Sequence, residues 1–198
     1  MDKAEDVIVS GSSAGGLAVM LHIDYLAQKI HKKNHGTNVA GVPDAGLFLD
    51  VDSVDGERKM KDQINFKDIW QFQGLKDAAV GSQARCYKEI GDNNAYKCMF
   101  PQYLLHFIRT PLFFSNSFAD AWQFHNVMGL DCADSGCSKE KINYINDFRS
   151  HMVHTLRSEA PEGSGWWITD CFVHTMADHA KFFSEVTVQG VMVSSFIH

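Results

Sequence analysis

The sequence has no excess of basic residues: Lys and Arg number 18 against 24 Asp and Glu over 198 residues, a formal net charge of −6. That balance offers no cationic footprint for phosphate backbones or anionic headgroups, which excludes nucleic acid and an anionic membrane surface as main partners. The same charge repels a bare polyanionic sugar acid at long range. No apolar run approaches the roughly 20 residues of a membrane span. The opening Met1-Asp2-Lys3-Ala4-Glu5-Asp6 is too charged to read as a signal peptide. None of the five cysteines belongs to a CxxC pair, so no zinc ribbon is framed. There is also no internal repeat, low-complexity tract or linker-like stretch, and residues 1–198 read as one domain. What is present is 45% hydrophobic and 21% charged residues, the balance of a folded globular chain with a real core.

Strand and helix signals alternate along the chain. Val7-Ile8-Val9 is a β-branched run that ends in Ser10-Gly11-Ser12-Ser13-Ala14-Gly15-Gly16, and Leu17, Val19, Met20, Leu21, Tyr25 and Leu26 follow at helical spacing. This predicts strand, tight turn, helix. A second unit starts at Asn38-Val39-Ala40-Gly41-Val42, and Gly46 to Asp50 leaves it for a polar stretch through Lys61. Residues 63–80 are expected to pack irregularly or as short helices, and Tyr103 to Ile108 is helically spaced. Pro111 to Ser115 is a buried strand, with a loop over Asn116 to Asp120. Ile142, Ile145, Phe148, Met152, Val153 and Leu156 predict an amphipathic helix over 139–157, and Trp166 to Thr169 is the last strand. Such alternation implies an α/β fold with a parallel sheet.

Gly11-Ser12-Ser13-Ala14-Gly15 fits G-x-S-x-G, in which small neighbours let a strained strand-to-helix turn present the central serine. Ser13 is that residue, and the Ala14 amide at the helix start suits developing negative charge. A phosphate-cradling loop is the competing reading, but no lysine follows the glycines. A serine hydroxyl is a weak nucleophile until a histidine accepts its proton, and that histidine needs a carboxylate to fix its tautomer. In this elbow architecture the order is Ser, acid, His. Asp120 follows the 111–115 strand and His174 follows the 166–169 strand; order alone leaves His125, His151, His154 and His179 open. His174 and His179 lack the spacing of a metal-binding helix, so no metal is expected. Trp122, Trp166 and Trp167 are either a sugar-stacking surface or core. Cys86 with Cys98, and Cys132 with Cys137, cluster as two local disulfide loops would, although scattered thiols fit the spacing equally; Cys171 is odd.

Taken together these blocks resemble the pectin acetylesterase and Notum family of α/β-hydrolase serine carboxylesterases, the plant and microbial branch more closely. Ser10 to Ala18 with Leu21-His22-Ile23-Asp24 is similar to the nucleophile region, and Asp44-Ala45-Gly46-Leu47-Phe48-Leu49-Asp50 to the block after it. Cys98 to Tyr103, Thr110 to Phe113 and Asn116 through Trp122-Gln123 resemble the segment of the catalytic acid, and Asp170-Cys171-Phe172-Val173-His174 that of the histidine. The resemblance implies a secreted esterase that needs no metal or organic cofactor, with Ser13, Asp120 and His174 as triad and Ala14 as an oxyanion donor. Its substrate would be an acetylated polysaccharide such as pectin, or another acyl ester. It also raises the disulfide reading, without assigning partners. Ile23, Thr175 and the region of Gly41 lack family cysteines. Relative to the family, the chain starts at the nucleophile strand, without the preceding strands and glycine-tryptophan oxyanion loop, and stops short at His198. The expectation is therefore a partial α/β-hydrolase, three-layered with a mostly parallel sheet; the alternative is an inactive or truncated fragment that at most binds carbohydrate or a partner.

Overall fold

The computed structural model describes residues 3–56, 59–132, 136–177, 187–188 and 191–192, with backbone alone at 59–65 and at the last two pairs. Strand β1 (Asp6–Ser12) leads into helix α1 (Ala14–His31) and then β2 (Asn38–Asp44). Helices α2 (Lys59–Phe72) and α3 (Gly81–Ile90), a 3-10 segment (Asp92–Met99), α4 (Pro101–Leu104) and a 3-10 turn (Leu105–Phe107) separate β2 from β3 (Phe113–Ser117). Helices α5 (Ala121–Asn126) and α6 (Lys139–Glu159) precede β4 (Gly165–Thr169), and a two-stranded antiparallel ribbon pairs β5 (Thr187–Val188) with β6 (Val191–Met192).

The main sheet runs β1-β2-β3-β4, every neighbour parallel. Register runs from Asp6↔Asn38 to Ser12↔Asp44, meets β3 at Asp44↔Ser115, and continues from Phe113↔Gly165 to Ser117↔Thr169. Since neighbours in register share a face, Val39, Gly41, Leu112 and Phe114 form the buried side. Helix α1 supplies Leu17, Val19, Met20, Ile23 and Ala27 to the same core cluster. The opposite side leaves Ile8 55% and Phe113 44% exposed. Among the described residues β1 lies at one edge of the sheet.

A polar tie and two disulfides brace the fold. The Asp24 carboxylate of α1 accepts from Arg85 of α3, from the Thr110 amide at 3.0 Å and from its hydroxyl at 2.9 Å. Disulfides join Cys86 to Cys98 and Cys132 to Cys137, while Cys171 is a free, exposed thiol.

Some boundaries differ from the sequence reading, for physical reasons. Residues 63–72 belong to one continuous helix that starts at Lys59, inside the expected polar stretch. Among its described side chains the inward contacts come from Phe66 and Trp70, four residues apart and so on one face, with Trp70 Nε1 donating to the Tyr87 hydroxyl at 2.8 Å. Ile69 and Phe72 point outward, so the apolar pattern misleads. α3, the 3-10 segment that follows it and the β5–β6 ribbon carry no signal the sequence reading used. β3 runs two residues later than expected, through Ser115-Asn116-Ser117, because distant partners satisfy those polar side chains. No described helix is long and apolar enough to cross a membrane.

Candidate active site

In a parallel sheet all strands end at one edge, and ligand sites gather there. Ser13 follows β1, Asp44 ends β2, Asp120 lies just past β3, and His174 past β4.

Ser13 sits in the turn between β1 and α1 with φ 57° and ψ −122°, a conformation a non-glycine residue rarely adopts and one that typically costs about 1–3 kcal/mol. The surroundings enforce it. The Ser13 amide donates to the Asp44 carbonyl at 2.8 Å, and the helix begins with Leu17 N–H on the Ser13 carbonyl at 3.1 Å. Close backbone approach demands glycine nearby: a Cβ on Gly46 would lie 2.6 Å from the Gly16 carbonyl carbon, and one on Gly11 the same distance from that of Gly15. Ala14 is the first residue of α1 and exposed; its amide is among those of the first turn that have no intrahelical acceptor.

Asp120 is fully buried and is the N-cap of α5, its Oδ1 accepting from the Gln123 amide at 2.9 Å. Its two oxygens stand 3.0 and 2.9 Å from His174 Nδ1, and His174 Nε2 stands 2.6 Å from Ser13 Oγ. An ionised carboxylate only accepts, so Nδ1 carries the ring proton and Nε2 is left to accept from the serine hydroxyl. Burial pushes the Asp120 carboxyl above its usual range, against the opposing pull of the Gln123 amide and of His174. The arrangement can take a proton from a hydroxyl held at a strained turn and return it to a leaving group.

Side chains around this line hold it in place. Asn116 Oδ1 accepts from the Leu47 amide and Gln123 Oε1 from the Leu49 amide, each at 3.2 Å, fixing the turn after β2. Ala45 in that turn also has a positive φ, 49°, and its amide donates to the Ser115 carbonyl at 2.8 Å. The turn presents Phe48, whose ring lies 6.2 Å from that of His174 and edge-on to Trp122 at 5.2 Å. Trp122, 39% exposed, flanks the imidazole at 6.0 Å. Upstream of His174, Ser117 Oγ donates to the Cys171 carbonyl at 2.6 Å and the Ala121 amide to that of Val173 at 3.3 Å.

The structure thus brings Ser13, Asp120 and His174 into contact, with Ala14 adjoining. His125 lies exposed in α5, His151 and His154 lie on α6, and Asp178 and His179 fall outside the described residues. Of the tryptophans, Trp122 stands beside His174 while Trp166 and Trp167 lie in β4. Among the described residues no three His, Cys, Asp or Glu side chains cluster as a metal site. The sequence reading missed the supporting polar groups Asp44, Asn116, Ser117 and Gln123; the signal available for the first three was that each stands at the C-terminal end of a strand, whereas Gln123 lies inside α5.

Comparison with known proteins adds the following. A family model described as pectinacetylesterase matches residues 1–196. Pectin acetylesterase 5 of Arabidopsis thaliana is 31% identical over 187 residues, spanning 88% of this chain and 41% of its own length. A palmitoleoyl-protein carboxylesterase, NOTUM of Schmidtea mediterranea, is 27% identical over 185 residues, 89% of this chain and 32% of its own. The solved structure of the Wnt deacylase Notum from Drosophila superposes with a TM-score of 0.70 at 21% identity, covering 97% of this chain and 51% of that one. The chain therefore spans between about a third and about half of the length of these proteins, and the last of them carries the α/β-hydrolase fold to it.

Proposed function

The chain belongs to the pectinacetylesterase family, and from that premise we propose that it hydrolyses carboxylic esters through Ser13, His174 and Asp120. Ser13 Oγ attacks the acyl carbon while His174 Nε2 takes the hydroxyl proton. The tetrahedral oxyanion is stabilised by the Ala14 amide at the start of α1. As it collapses, the alcohol departs with the proton from Nε2, leaving Ser13 acylated. Water, deprotonated in turn by Nε2, attacks the acyl carbon, and collapse of the second intermediate releases the acid as Nε2 returns the proton to Ser13 Oγ. Asp120 holds the ring by its Nδ1 proton and stabilises the imidazolium formed at each step.

The observation that carries this reading is the unbroken line of contacts, 2.6 Å from hydroxyl to imidazole and 2.9 Å from imidazole to carboxylate. The proposed substrate is an acyl ester, acetyl foremost, on a polysaccharide such as pectin, in keeping with the name of the plant relative. Two disulfides fit work in an oxidising, extracellular setting. Hydrolysis of p-nitrophenyl acetate by the full chain, above the background of Ser13→Ala, is the test. Fluorophosphonate labelling that persists undiminished in Ser13→Ala overturns the reading.

One observation favours a second reading, a polysaccharide-binding module without turnover: Trp122, 39% exposed beside His174, offers a ring face on which a sugar can stack. Hydrolysis no faster than the Ser13→Ala background, together with retained polysaccharide binding, is its signature.

A further inference from the structure

We infer that Asp44 is a positioning residue of this site, its carboxylate holding the loop that carries His174 in register with the turn that carries Ser13. The inference deepens the esterase reading and rests on it for the reaction served. Asp44 is 2% exposed at the end of β2. Its Oδ2 accepts from Ser12 Oγ at 3.0 Å and from the Ala177 amide at 3.1 Å, its Oδ1 accepts from Ser115 Oγ at 2.9 Å, and the Met176 amide reaches both oxygens at 3.2 and 3.3 Å. Its backbone carbonyl accepts from the Ser13 amide at 2.8 Å. One residue therefore touches the nucleophile's backbone, the side chain beside it, and two amides just past the base.

These donors, two hydroxyls and two amides, are all neutral. A buried carboxylate surrounded by neutral donors is a costly way to close a turn, and it accomplishes what a neutral side chain does not. Two oxygens with free lone pairs accept from both sides of the site at once. An asparagine has one such oxygen, and its amide group confronts whichever N–H or hydroxyl remains. Upstream of His174 the loop is anchored on the Cys171 and Val173 carbonyls; just downstream, among the described residues, Asp44 holds the Met176 and Ala177 amides while Thr169 Oγ1 reaches Met176 Sδ at 3.6 Å. Asp120 fixes one nitrogen of the ring; the distance from the other to Ser13 follows from where the loop sits. A displacement of about 1 Å at such a site costs on the order of 100-fold in rate.

A plain structural staple and a positioning residue differ in what they move. In the full chain, Asp44→Asn is expected to broaden or abolish the far-downfield proton resonance of the His174 Nδ1–Asp120 bond. It should also lower kcat on p-nitrophenyl acetate about 100-fold while KM changes less than about threefold. Should Asp44→Asn not fold, Ser12→Ala/Ser115→Ala, which keeps the carboxylate and both amide contacts but removes its hydroxyl partners, is expected to weaken the same resonance and lower kcat about 10-fold. An undiminished resonance with unchanged kcat in the folded variant, whatever the fall in Tm, overturns the inference. If the wild-type chain shows no Ser13-dependent hydrolysis, the esterase reading falls, and the resonance alone decides for or against Asp44.

Discussion

Replacing Asp120 by asparagine separates chemistry from stability at this site. Asparagine caps helices about as well as aspartate, so its oxygen keeps the Gln123 amide, 2.9 Å away in the wild type, and α5 still starts where it does. Its NH2 group then faces His174 Nδ1, which must accept, and the ring proton moves to Nε2, opposite Ser13 Oγ. The hydroxyl loses its proton acceptor although no atom has moved far. In serine proteases the equivalent substitution costs about 10⁴ in kcat, which is about 5 kcal/mol of barrier at 1.36 kcal/mol per decade. Stability changes the other way. Burial raises the Asp120 carboxyl above its ordinary value, so its contribution to folding is fully present below the usual carboxyl range near 3.9. It is lost as pH rises through the raised folded value. At pH 7 the ionised, fully buried group is a cost that asparagine lacks. Asp120→Asn is therefore expected to melt no lower than wild type at pH 7, with any advantage shrinking as pH falls toward 4. Steady-state kinetics and thermal melts over that range provide the check. A variant that keeps more than about a tenth of wild-type kcat refutes the tautomer argument, and one that melts several degrees lower at pH 7 refutes the dominance of burial.

Other consequences are open to measurement. Gly46→Ala forces a methyl to 2.6 Å from the Gly16 carbonyl carbon, and urea denaturation is expected to show a loss of about 1–3 kcal/mol, the usual range for overpacking; an unchanged midpoint contradicts the close approach. Half-buried His22 in α1 has a pKa lowered by burial, so its share of stability is present above about 6.5 and lost as pH falls through the lower folded value. His22→Gln should flatten the decline in Tm between pH 7 and 5, and an identical decline refutes that assignment. Removing the Cys86–Cys98 bridge, which spans 12 residues, should cost about 3 kcal/mol, and removing Cys132–Cys137, which spans 5, about 2. Paired serine variants that reverse this order would show that loop length does not govern the difference.

The parts of this protein legible in the sequence are those set by neighbours along the chain. A β-branched run, small residues and a helical pattern in succession specify β1, the elbow at Ser13 and α1, because sterics within a few residues leave few other conformations. The periodicity of 139–157 likewise marks α6, which extends two residues further. Asp120 and His174 were nameable from their order after strands, yet several histidines satisfied that order; proximity to Ser13 depends on separations of 161 and 54 residues being closed by the parallel sheet. Asn116 and Ser117 look like loop in isolation and extend the strand because Leu47 and Cys171 meet their side chains. Asp44 shows the limit most plainly: in the sequence it is one acidic residue before Ala45-Gly46, and its partners lie 32, 71, 132 and 133 residues away. Local sterics write the elements into the chain, whereas a buried polar group acquires its meaning only from donors that the folded sheet delivers to it.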